Sequence, residues 1–156
     1  MGADIHVYLE SRKIPVDPHY SGWNSVFPRI NPGRKYNLFA DLAGVRGDGP
    51  SPRGMPTDPG FYANMDNFLH VVDKVTDSED CVDQITADKW VASGSSTYNS
   101  NKTRVSHPDW HSHSWETGQD WIKKTEGCGD IYDALNAAIE SLMKNNEVRV
   151  IYWFDN

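Results

Sequence analysis

An α+β fold is predicted by three features of the sequence: an alternating segment at residues 4–10, a helical repeat at residues 130–144 and a largely apolar segment at residues 148–154. Alternating polarity is typical of a strand with one buried face, and apolar residues at helical spacing are typical of an amphipathic helix. An apolar segment rich in β-branched and aromatic residues is typical of a central strand. We therefore predict one domain over residues 1–156, with a small mixed sheet that contains the N- and C-terminal strands and has helices packed on it.

Composition limits the size, charge and location of the protein. A length of 156 residues suits one domain, and 38% hydrophobic residues, with six Trp and seven Tyr, supply enough apolar surface for a core. The net charge of −7 disfavours duplex nucleic acid and anionic membranes as partners. Because we find neither a transmembrane-length apolar run nor a secretory signal, we expect no membrane association and a cytoplasmic location. Cys81 and Cys128 match no zinc-binding spacing and are expected to be reduced thiols, with a single disulfide as the alternative.

The first strand and the first helix each have a predicted buried face. In the strand at residues 4–10, the side chains expected to face the core are Ile5, Val7 and Leu9. Residues 35–43 are predicted to form a helix that ends at Gly44, because glycine is favoured just past a helix C-terminus. The buried stripe of this helix is expected to contain Leu38, Phe39, Leu42 and Ala43.

The segments around these two elements are predicted to be mostly loops. Residues 13–33 contain several prolines and glycines and are expected to form a long loop or a broken hairpin. Residues 46–60 contain four prolines, which remove hydrogen-bond donors, so we expect a surface connection there. Residues 61–75 are expected to be helical or mixed.

The C-terminal half is predicted to contain three helices and the last strand. Thr86 is expected to begin a short helix, and Thr117 followed by Asp120 resembles a capping box that begins a second one. The clearest helix covers residues 130–144, and its predicted stripe is Ile131, Leu135, Ala138, Ile139, Leu142 and Met143. The strand at residues 148–154 is expected to lie beside the N-terminal strand.

Two short polar repeats, Asp4-Ile5-His6 and His111-Ser112-His113, suggest a metal site. In an extended backbone, side chains two residues apart point to the same face, about 7 Å apart. If the terminal strands are neighbours, Asp155 joins the first repeat at one end of the sheet, and the histidine and arginine segments close over it. The predicted ligands of a zinc or manganese ion are Asp4, His6, His111 and His113, with His107, Asp109 and Asp155 in reserve. The alternative is that these groups are hydrogen-bonded structural side chains at strand ends.

A second group of residues suggests binding of a phosphorylated ligand. Arginine suits bidentate contact with phosphate, and exposed aromatic rings suit stacking on a base. The predicted ligand-binding residues are Arg34, Tyr36, Arg46, Arg53, Asp58, Trp110 and Trp115. No Walker A sequence or dinucleotide-binding fingerprint occurs, which disfavours an ATPase or a Rossmann enzyme. The alternative is that the arginines only pair with surface carboxylates.

Several segments resemble a family of small uncharacterised bacteriophage and prophage proteins. The motifs are GADIH in residues 1–10, LFAxLAGVR in residues 34–46, PRGxPxD in residues 52–58, HPDWHSxSW in residues 107–115 and WFDN in residues 153–156. The resemblance touches the whole chain. It implies a phage or prophage origin, and therefore the cytoplasm of a host cell, but it implies no activity.

Three classes of function are consistent with these observations. The first is a phage-associated protein that binds a phosphorylated, nucleotide-like small molecule in a pocket of His, Arg and Trp side chains, with an accessory or counter-defence role. The second is a metal-dependent hydrolase or phosphoesterase that uses the four predicted metal ligands, with Asp58 or Asp109 as the base. The third is a virion or host-protein interaction module. The sequence decides neither whether a reaction is catalysed nor whether the chain forms a homo-oligomer.

Overall fold

The structure is a computed structural model in which eight strands and three helices are described. It describes residues 2–17, 19, 22–54, 56, 68–71, 81–82, 85, 89, 97–98, 103–105 and 111–155. The strands are β1 (Asp4–Lys13), β2 (Asn24–Ser25), β3 (Phe68–Val71), β4 (Cys81–Val82), β5 (Thr97–Tyr98), β6 (Thr103–Val105), β7 (His111–Thr117) and β8 (Asn146–Asp155). The helices are α1 (Tyr36–Ala43), α2 (Gly118–Thr125) and α3 (Asp130–Met143). The predicted α+β class is confirmed.

The strands form two four-stranded sheets. The first has the order β2-β1-β8-β7, and all of its strand pairs are antiparallel, so the sheet that holds the terminal strands is not mixed. The second has the order β4-β3-β6-β5 and combines parallel with antiparallel pairs. Within residues 61–75, which we expected to be helical or mixed, the described residues form strand β3.

The predicted pairing of the first and last strands is confirmed. β1 and β8 pair from Asp4 opposite Asp155 to Lys13 opposite Asn146. β1 is three residues longer than predicted, because β8 continues opposite it and supplies backbone hydrogen-bond partners. β8 lies between β1 and β7, as expected of a strand with few polar side chains.

One face of the first sheet and the three helices form the hydrophobic core. The predicted inward-facing residues of β1 are fully buried: Ile5, Val7 and Leu9. Opposite them, β8 contributes Val148, Val150, Tyr152 and Phe154. The helices contribute Leu38, Phe39, Leu42, Ala43, Trp121, Tyr132, Leu135 and Ile139. Deep burial of these large side chains is the main favourable term for folding.

The C-terminal end of α1 and the start of α2 follow the sequence predictions. Gly44 ends α1 in the left-handed conformation, with φ of 66°, and its N–H donates to the Ala40 carbonyl. Thr117 caps α2, because its Oγ1 accepts a hydrogen bond of 3.2 Å from the backbone N–H of Asp120. The loop after α1 is exposed at residues 46–53, whereas Pro56 is buried, and the described residues 46–54 and 56 contain no helix or strand. A Cβ at Gly49 would overlap the Ala40 carbonyl oxygen, so this contact requires glycine.

The predicted stripe of α3 is wrong at its first position. Ile131 is 52% exposed, whereas its neighbour Tyr132 is fully buried. The Tyr132 ring lies against Trp121, with centroids 6.4 Å apart, and its hydroxyl donates to the Gly33 carbonyl at 2.8 Å. The larger ring therefore buries more apolar area and also finds an acceptor for its hydroxyl.

The second face of β1 and β8 is also buried, although the alternation in β1 predicted a polar face. Glu10 and Arg149 lie opposite each other at its centre, and their side chains are 0% and 3% exposed. Arg149 Nε donates to Glu10 Oε2 at 2.8 Å, and the guanidinium lies 4.3 Å from the centroid of Trp23. The attraction between these two opposite charges offsets part of the free-energy cost of removing them from water.

Several predictions fall on residues outside the described part of the chain. These are most of the helix expected from Thr86, the reserve ligands His107 and Asp109, and the ligand-binding candidates Asp58 and Trp110. Among the helices of the described residues, none is both long and apolar enough to cross a membrane.

Replacing Arg149 with Ala should lower the free energy of unfolding by about 3–5 kcal/mol, because Glu10 would keep a buried charge without its counter-ion. The matched control is Arg12→Ala on the same face, where the partner Glu147 is 42% exposed. This control substitution should lower the free energy of unfolding by only about 1–2 kcal/mol. Urea unfolding of both variants measures the difference. Equal losses of unfolding free energy would contradict a larger contribution from the buried Glu10–Arg149 pair.

Candidate functional site

The first cluster of candidate residues lies where β1 begins and β8 ends. Asp4 and Asp155 are opposite each other, and the Asp4 backbone N–H donates to Asp155 Oδ1 at 3.3 Å. His6 Nε2 lies 2.7 Å from the other oxygen, Asp155 Oδ2. The predicted approach of these three side chains at one end of the sheet is therefore confirmed.

His6 is held as a buried, neutral ring. It is only 7% exposed, and burial lowers its pKa below the ordinary value of 6.5. The hydrogen bond to Asp155 opposes this effect but is the smaller contribution. Since a carboxylate can only accept, Nε2 carries the proton and donates it to Asp155.

The two histidines of β7 do not share a face, contrary to the prediction from their spacing. Ser112 between them has a positive φ of 54°, and the pairing of β7 with β8 shifts between His111 and Ser114. The His111 ring lies against Phe154, with centroids 6.3 Å apart, and the His113 ring stacks on Trp153 at 5.2 Å. Because neighbouring residues in a strand point to opposite faces, the two histidines lie on opposite faces of the sheet. A β-bulge at Ser112 is the physical reason.

The predicted metal ligands therefore do not converge. In the described residues, which include Asp4, His6, His111 and His113, no group of three or more His, Cys, Asp or Glu side chains could hold a metal ion. Each side chain has another role: Asp4 pairs with Arg34, His6 with Asp155, and the two histidines of β7 stack on aromatic rings. These contacts match the structural alternative that the sequence also allowed.

The predicted arginines are also separated by their contacts. The Arg53 guanidinium lies 3.7 Å from the centroid of Trp115 and donates to the Trp115 carbonyl at 3.1 Å. Two predicted binding residues are thus paired with each other, next to the buried carboxylate of Glu116. Arg46 is exposed in the loop after α1, with φ of 62°.

Arg34 and Tyr36 instead line an open cleft at the start of α1. We call it the α1 cleft, and it is lined by Arg34, Lys35, Tyr36, Asn37, Leu38, Gly127 and Cys128. Its volume of about 480 Å³ lies within the range of small-molecule sites. Neither Arg46, Arg53 nor Trp115 belongs to its lining.

The start of α1 brings positive charge to the α1 cleft through both its backbone and its side chains. Lys35 occupies the N-cap position, no side chain caps the helix, and its first turn contains no acidic residue. The N–H groups of residues 36–38 have no acceptor within the helix, and the helix dipole adds a partial positive charge there. Lys35 and Arg34 add cationic side chains to the same wall, and Arg34 is paired with Asp4. Such an arrangement favours an anionic group.

Two residues of this cleft, Lys35 and Cys128, were missed by the sequence predictions. A signal for Lys35 existed, because Ser, Thr, Asp or Asn is usual at the N-cap, and a lysine there leaves the first turn without a side-chain acceptor. Cys128 is a half-buried thiol with no local motif. Burial raises its pKa, and the nearby Lys35 opposes that shift, so the thiol stays protonated near neutral pH.

The fold and the cleft define an α+β protein with a cationic wall at the start of α1. Comparisons of the chain with protein-family models, with curated proteins and with solved structures find no match.

His6 should titrate below pH 6.5, the ordinary value for histidine, because burial disfavours its charged form. As the pH falls below 6.5, the unfolded chain takes up this proton before the folded chain does. The contribution of His6 to stability is therefore present above pH 6.5 and is lost as the pH falls through the folded pKa. NMR titration of the ring protons measures the midpoint directly.

The matched variant is Asp155→Asn. Since Asp155 raises the pKa of His6, its neutralisation should move the His6 midpoint to a still lower pH. A wild-type midpoint at or above 6.5, or an upward shift in the variant, would contradict the assignment.

Proposed function

We propose that the protein binds a phosphorylated, nucleotide-like small molecule in the α1 cleft. The observation that carries this proposal is an uncapped helix N-terminus that opens into a cleft lined by Arg34 and Lys35. Backbone N–H groups and cationic side chains directed at one place are the usual means of binding a phosphate.

The net charge of the cleft favours one phosphate group rather than a long polyanion. Arg34 is already paired with Asp4, at 2.7 Å from Nε to Oδ1, so part of its charge is neutralised. Lys35 and the dipole of α1 supply the remaining positive charge. The protein as a whole carries −7, which repels extended polyanions and leaves this local site as the attraction.

The remaining lining suits an organic group attached to the phosphate. Tyr36 is 42% exposed at the cleft, and its ring can stack on a planar base. Leu38, Gly127 and Cys128 add a less polar wall. A volume of about 480 Å³ accommodates a nucleoside monophosphate.

The resemblance to phage and prophage proteins supplies a biological setting for this activity. A protein that retains a host nucleotide without converting it would act as an accessory or counter-defence factor in the host cytoplasm. The proposed role in the host comes from the resemblance alone, since the contacts that define the cleft do not depend on it.

Isothermal titration calorimetry with adenosine 5′-monophosphate should show binding that adenosine lacks or shows at least about tenfold more weakly, because the phosphate supplies charge-assisted hydrogen bonds. Lys35→Gln should weaken binding about fivefold, as expected for an exposed charge. The control Lys13→Gln makes the same change of charge at the other end of β1, about 30 Å along the strand. Equal losses in both variants would indicate general electrostatics and contradict a specific cleft.

Cys128 offers an independent readout of the same cleft. Bound adenosine 5′-monophosphate should slow alkylation of Cys128 by iodoacetamide about fivefold or more at saturation, because the ligand covers the cleft wall. Mass spectrometry of the peptide that contains Cys128 measures the rate, and adenosine at the same concentration is the control. Unchanged alkylation under saturating nucleotide would place the ligand elsewhere.

A further inference from the structure

We propose that Asp4 is a positioning residue of the α1 cleft: its carboxylate holds the Arg34 guanidinium in one orientation, ready to contact a phosphate. This inference rests on the proposed function and names the residue that prepares the site before the ligand arrives.

The geometry of the Arg34–Asp4 pair determines which edge of the guanidinium the carboxylate occupies. Arg34 Nε donates to Asp4 Oδ1 at 2.7 Å, and Nη2 donates to Oδ2 at 2.9 Å. This bidentate arrangement restricts rotation of the guanidinium and leaves Nη1 outside the pair. Nη1 lies beside Gly2 and the Tyr36 hydroxyl, because a Cβ at Gly2 would overlap Nη1 and lie 3.0 Å from Tyr36 Oη. A side-chain hydrogen bond also links Arg34 with Tyr36. The edge outside the pair thus faces a residue of the cleft lining.

Asp4 is itself held by the sheet. Its backbone N–H donates to Asp155 Oδ1, and its Cα lies opposite that of Asp155 in the ladder of β1 and β8. The other oxygen of Asp155 accepts from the buried ring of His6 at 2.7 Å. The anchor of Arg34 is therefore a residue of the rigid sheet, whereas Arg34 lies in the segment just before α1. Arginine side chains are usually flexible. Because Asp4 already restricts Arg34, ligand binding has less side-chain conformational entropy to remove.

Stability alone does not explain the pair. The side chains of Arg34 and Asp4 are 52% and 32% exposed, and exposed ion pairs contribute little to folding. Two roles then remain for Asp4, and they predict effects of opposite sign. If Asp4 only neutralises Arg34, its removal strengthens anion binding; if it orients Arg34, its removal weakens binding.

The decisive variant is Asp4→Asn, which removes the charge and keeps the shape. We expect adenosine 5′-monophosphate to bind about three- to tenfold more weakly, the factor that corresponds to ordering one long side chain during binding. Asp4→Glu, which retains a carboxylate, should recover part of the affinity. In the ligand-free protein, the Arg34 Nε–H signal should be sharp in the wild type, and in Asp4→Asn it should broaden through exchange with water.

Gly2→Ala tests the geometry without a change of charge. The three atoms nearest to the new Cβ all belong to the side chains of Arg34 and Tyr36, so the change should displace the Arg34 guanidinium while the fold keeps its melting temperature. We expect a loss of affinity comparable to that of Asp4→Asn. Both variants should show wild-type backbone NMR spectra apart from the residues near the cleft.

The outcomes separate this inference from the proposed function. Wild-type binding that Asp4→Asn leaves unchanged or strengthens would overturn the role of Asp4 and leave the cleft assignment intact. An Arg34 Nε–H signal equally broad in wild type and Asp4→Asn would also overturn the role, with or without ligand. Failure of the wild type to bind the nucleotide at all would overturn the proposed function, and the positioning role with it.

Discussion

The antiparallel pairing of β1 with β8 determines where both the core and the candidate site lie. Side chains alternate along each strand, so a slip of one residue would exchange the two faces of β1 relative to the helices. A slip of two residues keeps the faces but changes the partner of Glu10 from Arg149 to Glu147 or Ile151. Either change leaves a buried carboxylate next to a like charge or an apolar side chain. The Glu10–Arg149 pair therefore selects one register, and that register places Asp4 opposite Asp155.

The same register connects the sheet to α1. His6, Asp155, Asp4 and Arg34 form a continuous series of contacts from the buried face of the sheet to the wall of the cleft. Each member satisfies a polar group of the next, so the series brings charged side chains together without isolating one of them. The Arg34–Asp4 pair joins the segment that precedes α1 to the sheet at this point.

Local signals explain how much of the fold the sequence could predict. Alternation revealed β1, β-branched and aromatic residues revealed β8, and the Thr117–Asp120 pair revealed the start of α2. Tertiary contacts decided the rest: Tyr132 displaced Ile131 from the core because its hydroxyl reaches the Gly33 carbonyl. The bulge at Ser112 had no local signal, since serine rarely adopts a positive φ, and it redirected His111 away from His113. Of the predicted binding residues, Arg34 and Tyr36 line the cleft, and the N-cap lysine beside them was overlooked.

Burial explains why the most polar motifs of the sequence are separate from the proposed binding site. A polar group that is removed from water needs a partner within the protein, and that partner occupies the lone pair or proton that a ligand would use. His6 is 7% exposed and its Nε2 donates to Asp155, whereas His113 is 5% exposed and its ring is covered by Trp153. Lys35 is exposed at the start of α1 and lines the cleft, so its charge is accessible to a ligand. Histidine spacing thus reflects the packing of this sheet, whereas the uncapped start of α1 beside Lys35 is where we propose that an anion binds.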